Sequence, residues 1–393
     1  MAKFINLKVF PDFFKSASAG GILLIISLVI SLLIANSPWG EPFENFLNME
    51  LGYESAQLHL RYPLLLWVND GLMAIFFLLV GLEIKREMLE GELSSFRQAA
   101  LPLFAAIGGM VVPAGIYALV NSGTDTASGW GIPMATDIAF AIGLLSLLGS
   151  RVPVGLKIFL TALAIVDDLG AIVVIAIFYS AGLQVTYLLY AGGIFLLLLL
   201  FNRLGVKSLV FYLVPGLFIW YFIHHSGVHA TVAGVLTALT IPTTPDAKES
   251  PLENLEHSLT KPVNFLIMPI FALVNTNIRF EAGMLEGLQS PLGIGIILGL
   301  CLGKPVGIFV SSWIAVKLKV STLPAGVNWP MVLGMGLLAG IGFTMSIFIA
   351  LLSFTEPQYQ TGAKFSILVA SVLSGVLGYF MLRSVSRKKT LAL

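Results

Sequence analysis

The chain has 393 residues, of which 57% are apolar and only 11% charged, with a formal net charge of +1. A water-soluble domain carries about 25% charged residues, so there is too little polar surface to cover a soluble globule, and lipid must cover part of it. No basic run of the length nucleic-acid binding needs is present, so no nucleic-acid partner is expected, and the single cysteine, Cys301, excludes an intrachain disulfide.

Lys3, Lys8 and Lys15 precede the apolar run Ala19–Ala35. That run is long for a signal peptide and no small-residue cleavage site follows it, so an uncleaved first membrane helix is expected. About 20 apolar residues cross the hydrocarbon as a helix. By that length, spans are expected near 17–36, 64–84, 98–120, 130–148, 156–180, 185–201, 208–224, 226–241, 262–278, 291–315, 329–352 and 363–383, twelve in all. With a cytoplasmic N-terminus, eighteen of the 22 lysines and arginines fall on the inner side, three (Arg61, Arg279, Lys364) on the outer side, and Lys304 within a span. This bias supports twelve spans with both termini inside. The expected fold is therefore an all-α membrane protein forming one transporter domain over 1–393. The first outer loop, 40–62, has strand signals at Leu47–Leu51 and Leu58–Tyr62 around Glu54–Ala56. It is either an ordered cap or an exposed β edge that pairs with a second subunit.

Asp137 in the fourth span, Asp167 and Asp168 in the fifth and Lys304 in the tenth all lie well inside apolar stretches. A charge there costs at least about 2.5–3.5 kcal/mol. Four such groups at similar depth suggest one shared polar site. Adjacent residues of a helix point about 100° apart, so one aspartate can face a cavity while the other faces a neighbouring helix. Their titrations are coupled. A carboxylate pair of this kind suits exchange of protons for a hard cation, which prefers oxygen ligands; the alternative is an ion-paired structural contact. Lys304 is either a fixed partner, for instance of Asp167, or a charge set against a helix end.

Pro133 lies just before Thr136 and Asp137, and the eleventh span contains Gly340-Ile341-Gly342-Phe343-Thr344-Met345-Ser346. Both are weak points in a helix, and irregular backbone at this depth is tolerated only around a cavity or in protein. Spans 4 and 11 cross in opposite directions, so spans 3–5 and 10–12 are expected to form an inverted repeat with interrupted spans 4 and 11. The Gly299, Gly303, Gly307 series suggests close helix packing. Glu83, Lys85, Arg86 and Glu87 end the second span, and Glu253, Glu256 and His257 precede the ninth. They form either solvated helix ends or a pH-sensing, cation-attracting mouth. His225 and His229 are four residues apart without a third metal ligand at a telling spacing, which favours a polar helix-end contact.

The motifs Phe76-Phe77-Leu78-Leu79-Val80-Gly81-Leu82-Glu83-Ile84-Lys85-Arg86-Glu87, Ala135-Thr136-Asp137-Ile138-Ala139-Phe140, Val166-Asp167-Asp168-Leu169, Gly303-Lys304-Pro305 and Gly340–Ser346 resemble the NhaA-type sodium/proton antiporters of bacterial inner membranes, over nearly the whole chain. The resemblance implies electrogenic exchange, two protons entering for each Na⁺ or Li⁺ leaving, with no cofactor. It implies Na⁺ and proton binding at Asp168 and Asp167, with Thr136 and Asp137 lining the crossing of unwound spans and Lys304 interacting with Asp167. It assigns Glu83, Glu87, Glu256, His257 and His229 to a pH response, and the outer, periplasmic hairpin to a homodimer contact. Thr260 departs from the pattern: some members carry a histidine there. The rivals are a sodium-coupled symporter of an organic solute, a passive cation channel, and an intramembrane aspartyl protease. No Gly-x-Gly-Asp of the protease type is present, and the chain is not read as an enzyme.

Overall fold

The computed structural model describes residues 9–55, 59–91, 93–180, 182–244 and 250–386. Lys3, Lys8, Ala56, Leu58, Lys248 and Arg387–Lys389 of the reading above lie outside them. The chain is mostly helical, and eight helices among the described residues are long and apolar enough to cross a membrane, or ten if each of two bent pairs is one span. The bent pairs are Ala19–Ala35 with Gly40–Leu47, at 112°, and Trp329–Ala339 with Phe343–Ser353, at 48°. Every stretch expected to span contains helix, but two are short. Val210–His225 has 16 residues, and the stretch 226–241 holds only Val232–Thr240, nine residues or about 14 Å. Gly227, with φ +84°, accounts for the shortfall: it takes the left-handed conformation just past the helix end and turns the chain in the polar segment between His224 and Thr231.

The chain falls into two compact units, one of Met1–Ile26, Ser95–Ala171 and Phe280–Leu393, the other of Ser27–Ser94 and Ile172–Arg279. In the first, the helix Phe96–Val120 lies against the continuous span Pro291–Lys317. The contact is backbone on backbone. A Cβ on Gly307 would meet the Gly108 carbonyl oxygen at 2.1 Å, and one on Gly303 would meet Pro113 Cα at 2.8 Å. In lipid, where apolar burial does not drive helices together, such close approach maximises dispersion contact. The glycine series of this span therefore does pack. Gly299–Gly303 is a π turn immediately before Lys304. Its extra residue rotates the following side chains by roughly 100°.

The second unit is built on Leu64–Leu89, Val185–Arg203, Val210–His225 and Pro251–Asn275, with Val232–Thr240 packed on Met73–Leu89. Its core gathers Leu82, Leu198, Tyr212, Ile219, Ile223 and Leu252. The loop after Gly40–Leu47 carries a small antiparallel pair with Glu50 opposite Pro63 and Leu51 opposite Tyr62, and a bridge from Glu54 to His59. The first strand is shorter than expected, because Leu47 ends the preceding helix Gly40–Leu47. Trp67 Nε1 donates to the Leu51 carbonyl at 3.0 Å and fastens the hairpin to the top of its helix.

Candidate functional site

Two chain interruptions form the site of the first unit. After the 3₁₀ segment Ala127–Met134, the residues Ala135–Asp137 run extended before Ile138–Leu147 resumes as helix. The second lies at Gly340–Gly342, between Trp329–Ala339 and Phe343–Ser353. Broken helices expose orphan N–H and carbonyl groups, and away from water each needs a partner. Here the two interruptions satisfy one another. Asp137 N donates to the Ile341 carbonyl at 2.7 Å. The Thr136 hydroxyl lies 3.0 Å from the Ala339 carbonyl, and Ser346 Oγ donates to the Ile132 carbonyl at 2.7 Å. Asp137 caps two helix starts: Oδ1 accepts from Phe140 N at 3.0 Å, and Oδ2 accepts from Thr344 N at 3.1 Å and from the Thr344 hydroxyl. A carboxylate at helix N-termini and an ammonium at a C-terminal carbonyl are the favourable signs for helix dipoles. Lys304 Nζ supplies the second by donating to the Met134 carbonyl.

Asp167 and Asp168 come from the uninterrupted helix Val154–Phe178. Asp167 Oδ2 is 2.7 Å from Lys304 Nζ and 2.8 Å from Thr136 Oγ1. Its other oxygen, Oδ1, is buried and accepts no hydrogen bond among the described residues. Asp168 is buried beside it, and its charge acts on Lys304. Thr136, Asp137, Asp167 and Lys304 thus meet through direct contacts, all within 1% of complete burial. The donors around them are oxygens from carboxylates, hydroxyls and carbonyls, the set a hard monovalent or divalent cation uses.

The residues assigned to a pH response separate into two places in the second unit. Arg86 is the hub of one. Its Nε donates to both carboxylate oxygens of Glu256, at 3.1 and 2.9 Å, and Nη1 is 3.0 Å from Glu87. The charge of Glu256 acts on Glu83 here, and the exposed His257 acts on Glu256. His229 belongs to the other place. Its Nε2 is 3.4 Å from Asp70 Oδ1, and Asp70 Oδ2 is 3.1 Å from His224 Nδ1. Trp220 stacks on His224 and donates to the Asp70 carbonyl at 3.1 Å. His225, by contrast, turns to the Tyr221 carbonyl and the Tyr62 hydroxyl.

Sequence reasoning missed Thr344 and Ser346 as partners of the fourth span, Arg86 as a hub, and Asp70 with His224. Asp70 carried a signal: it is an acid inside the apolar stretch Leu64–Leu89, six residues from its start.

The family described as Na⁺/H⁺ antiporter 1 matches residues 11–382. The chain is 66% identical over 390 residues to Na(+)/H(+) antiporter NhaA 2 of Flavobacterium johnsoniae, covering 99% of this chain and 96% of that protein. It is 51% identical over 385 residues to Na(+)/H(+) antiporter NhaA of Shewanella sp. (strain ANA-3), covering 97% and 99%. It is also 51% identical over 377 residues to the NhaA of Flavobacterium psychrophilum, covering 96% of each. These relatives are named as antiporters, and the symporter alternative finds no support among them. With a membrane-spanning helical fold and full-length matches of this kind, the chain belongs to the NhaA family of Na⁺/H⁺ antiporters.

Proposed function

We propose that this protein exports Na⁺ or Li⁺ from a bacterial cell in exchange for about two protons, by alternating access at Asp167 and Asp168. The observation that carries the reading is the position of Asp167. It shares one oxygen between Lys304 and Thr136, beside Asp168, where two interrupted chains meet. A cation that enters takes the ionised carboxylates, and protons that enter neutralise them. Competition for the same oxygens couples the two fluxes without a second pathway. Two protons in for one cation out moves one net charge inward, which the membrane potential drives with about 2.3 kcal/mol per 100 mV.

In this reading the chain spans the inner membrane twelve times with both termini in the cytoplasm. Spans 3–5 and 10–12 form the inverted repeat, and the hairpin at Glu50–Pro63 contacts the second subunit of a homodimer. Glu83, Glu87, Glu256 and His257 around Arg86, with His229 at Asp70, adjust exchange to pH. The test is purified protein in liposomes with an imposed pH gradient. Added Na⁺ dissipates the gradient with the wild type, and Asp168→Asn abolishes that response. Normal exchange by Asp168→Asn would remove the site assignment. An absence of Na⁺-dependent proton flux at every pH from about 6 to 9 would remove the antiport reading itself.

A further inference from the structure

We propose that Thr344 is a positioning residue of the exchange site, acting through Asp137 to hold Thr136 in register with Asp167. The inference rests on the assignment of exchange to Asp167 and Asp168.

Thr344 gives two donors to one oxygen. Both its backbone N–H and its hydroxyl reach Asp137 Oδ2, while Asp137 Oδ1 is taken by Phe140 N at 3.0 Å. Phe140 N on one oxygen and Thr344 N on the other set the plane of the carboxylate, and the Thr344 hydroxyl adds a third donor that strengthens the hold on Oδ2 against rotation about the Cβ–Cγ bond. Asp137 N is meanwhile held by the Ile341 carbonyl at 2.7 Å, so the residue is clamped from both sides by the eleventh-span break. Thr136 is the residue before Asp137, in an extended segment that has no helical hydrogen bonds of its own to place it. Its hydroxyl stands 2.8 Å from Asp167 Oδ2, a distance that a small rotation of Asp137 would lengthen beyond hydrogen-bonding range. Thr344 and Asp137 are each at least 99% buried, so bulk water does not replace a lost donor. The Thr344 hydroxyl donates to Asp137 Oδ2, and its influence on the exchange site passes through Asp137.

The test uses full-length protein in phospholipid vesicles, with Na⁺-dependent collapse of an imposed pH gradient read across a Na⁺ series at fixed pH. Thr344→Val keeps the shape and removes the hydroxyl. Its apparent KM for Na⁺ is expected to rise about tenfold, the effect of one hydrogen bond to a charged group, with the rate at saturating Na⁺ within about twofold. Thr344→Ser, which restores a hydroxyl, returns KM close to wild type. In an Asp137→Asn background the Thr344→Val change adds no further rise, because the group it acts through is already altered. Thr344→Ala replaces Thr344→Val in the same cycle if the valine variant does not fold. An unchanged KM in the hydroxyl-free variant, a Thr344→Ser variant as impaired as Thr344→Val, or independent multiplication of the two effects overturns the proposal. A wild type without Na⁺-dependent proton flux instead overturns the functional reading beneath it. An inactive Asp168→Asn beside a normal Thr344→Val removes only the present inference.

Discussion

Lys304 Nζ lies 2.7 Å from Asp167 Oδ2, and both side chains are completely buried. Such a pair is costly to assemble and costlier to break, because removal of one partner leaves the other as an uncompensated buried charge. Lys304→Ala is therefore expected to destabilise the protein by about 3–5 kcal/mol. The paired change Lys304→Met with Asp167→Leu removes both charges at similar volume and should recover most of that loss while exchange stays absent. Thermal unfolding of the purified variants, run beside vesicle transport, separates the two effects.

The crossing at Gly108 and Gly307 leaves no room for a side chain. Gly307→Ala puts a Cβ where the Gly108 carbonyl oxygen is 2.1 Å away, so the helices must separate. A loss of about 1–3 kcal/mol is expected, the usual cost of overpacking. Gly193, in the helix Val185–Arg203, has nothing within 4 Å of its would-be Cβ. Gly193→Ala should instead be neutral or stabilise by up to about 1 kcal/mol through helix propensity. A shared direction of change in the two melting temperatures would contradict the packing account.

Arg86 holds Glu256 and Glu87 together, but its side chain is 33% exposed, so solvent screens the pair. A double-mutant cycle of Arg86→Gln with Glu256→Gln should give a coupling of about 1 kcal/mol, at the upper end for accessible ion pairs. Arg86→Gln should also move the pH of half-maximal exchange, and His257→Ala, at an exposed side chain beside Glu256, should move it less. An unchanged pH profile in Arg86→Gln would place the response outside the arginine cluster.

Asp70 lies 3.1 Å from His224 Nδ1 and 3.4 Å from His229 Nε2 and sits in the π turn Trp67–Leu72, under Trp220. Replacement by Leu removes the carboxylate beside both imidazoles, which are 85% or more buried. The expected loss is about 1–3 kcal/mol for unsatisfied buried polar groups. His225→Leu should cost less, because its Nδ1 contact is to the Tyr221 carbonyl of its own helix turn. Chemical or thermal denaturation ranks the two.

The charged members of the site were legible because a charge in an apolar stretch stands out by its cost alone. Asp137, Asp167, Asp168 and Lys304 announce themselves in this way, and the proline and glycines mark where helix cannot continue. Thr344 was not legible as a partner of Asp137. Nothing local tells a threonine in one span which carboxylate, 207 residues away, it faces. Asp70 escaped notice because depth was counted from the ends of apolar runs, and it lies near one. The stretch read at 226–241 holds a helix of only nine residues, Val232–Thr240, because the chain turns at Gly227 in the polar segment Ser226–Thr231 before it resumes.

The Thr136 hydroxyl owns a single hydrogen, yet it has two acceptors in reach, Asp167 Oδ2 at 2.8 Å and the Ala339 carbonyl at 3.0 Å. It can serve only one of them well at any moment. In the proposed exchange, the carboxylate claims that hydrogen while Asp167 is bare of cargo, and a cation or a proton that satisfies the carboxylate would release it to the carbonyl that ends the Trp329–Ala339 helix. The occupancy of one oxygen is in this way written onto the backbone of another span, so loading of the site and the geometry of the chain break become two readings of the same hydrogen.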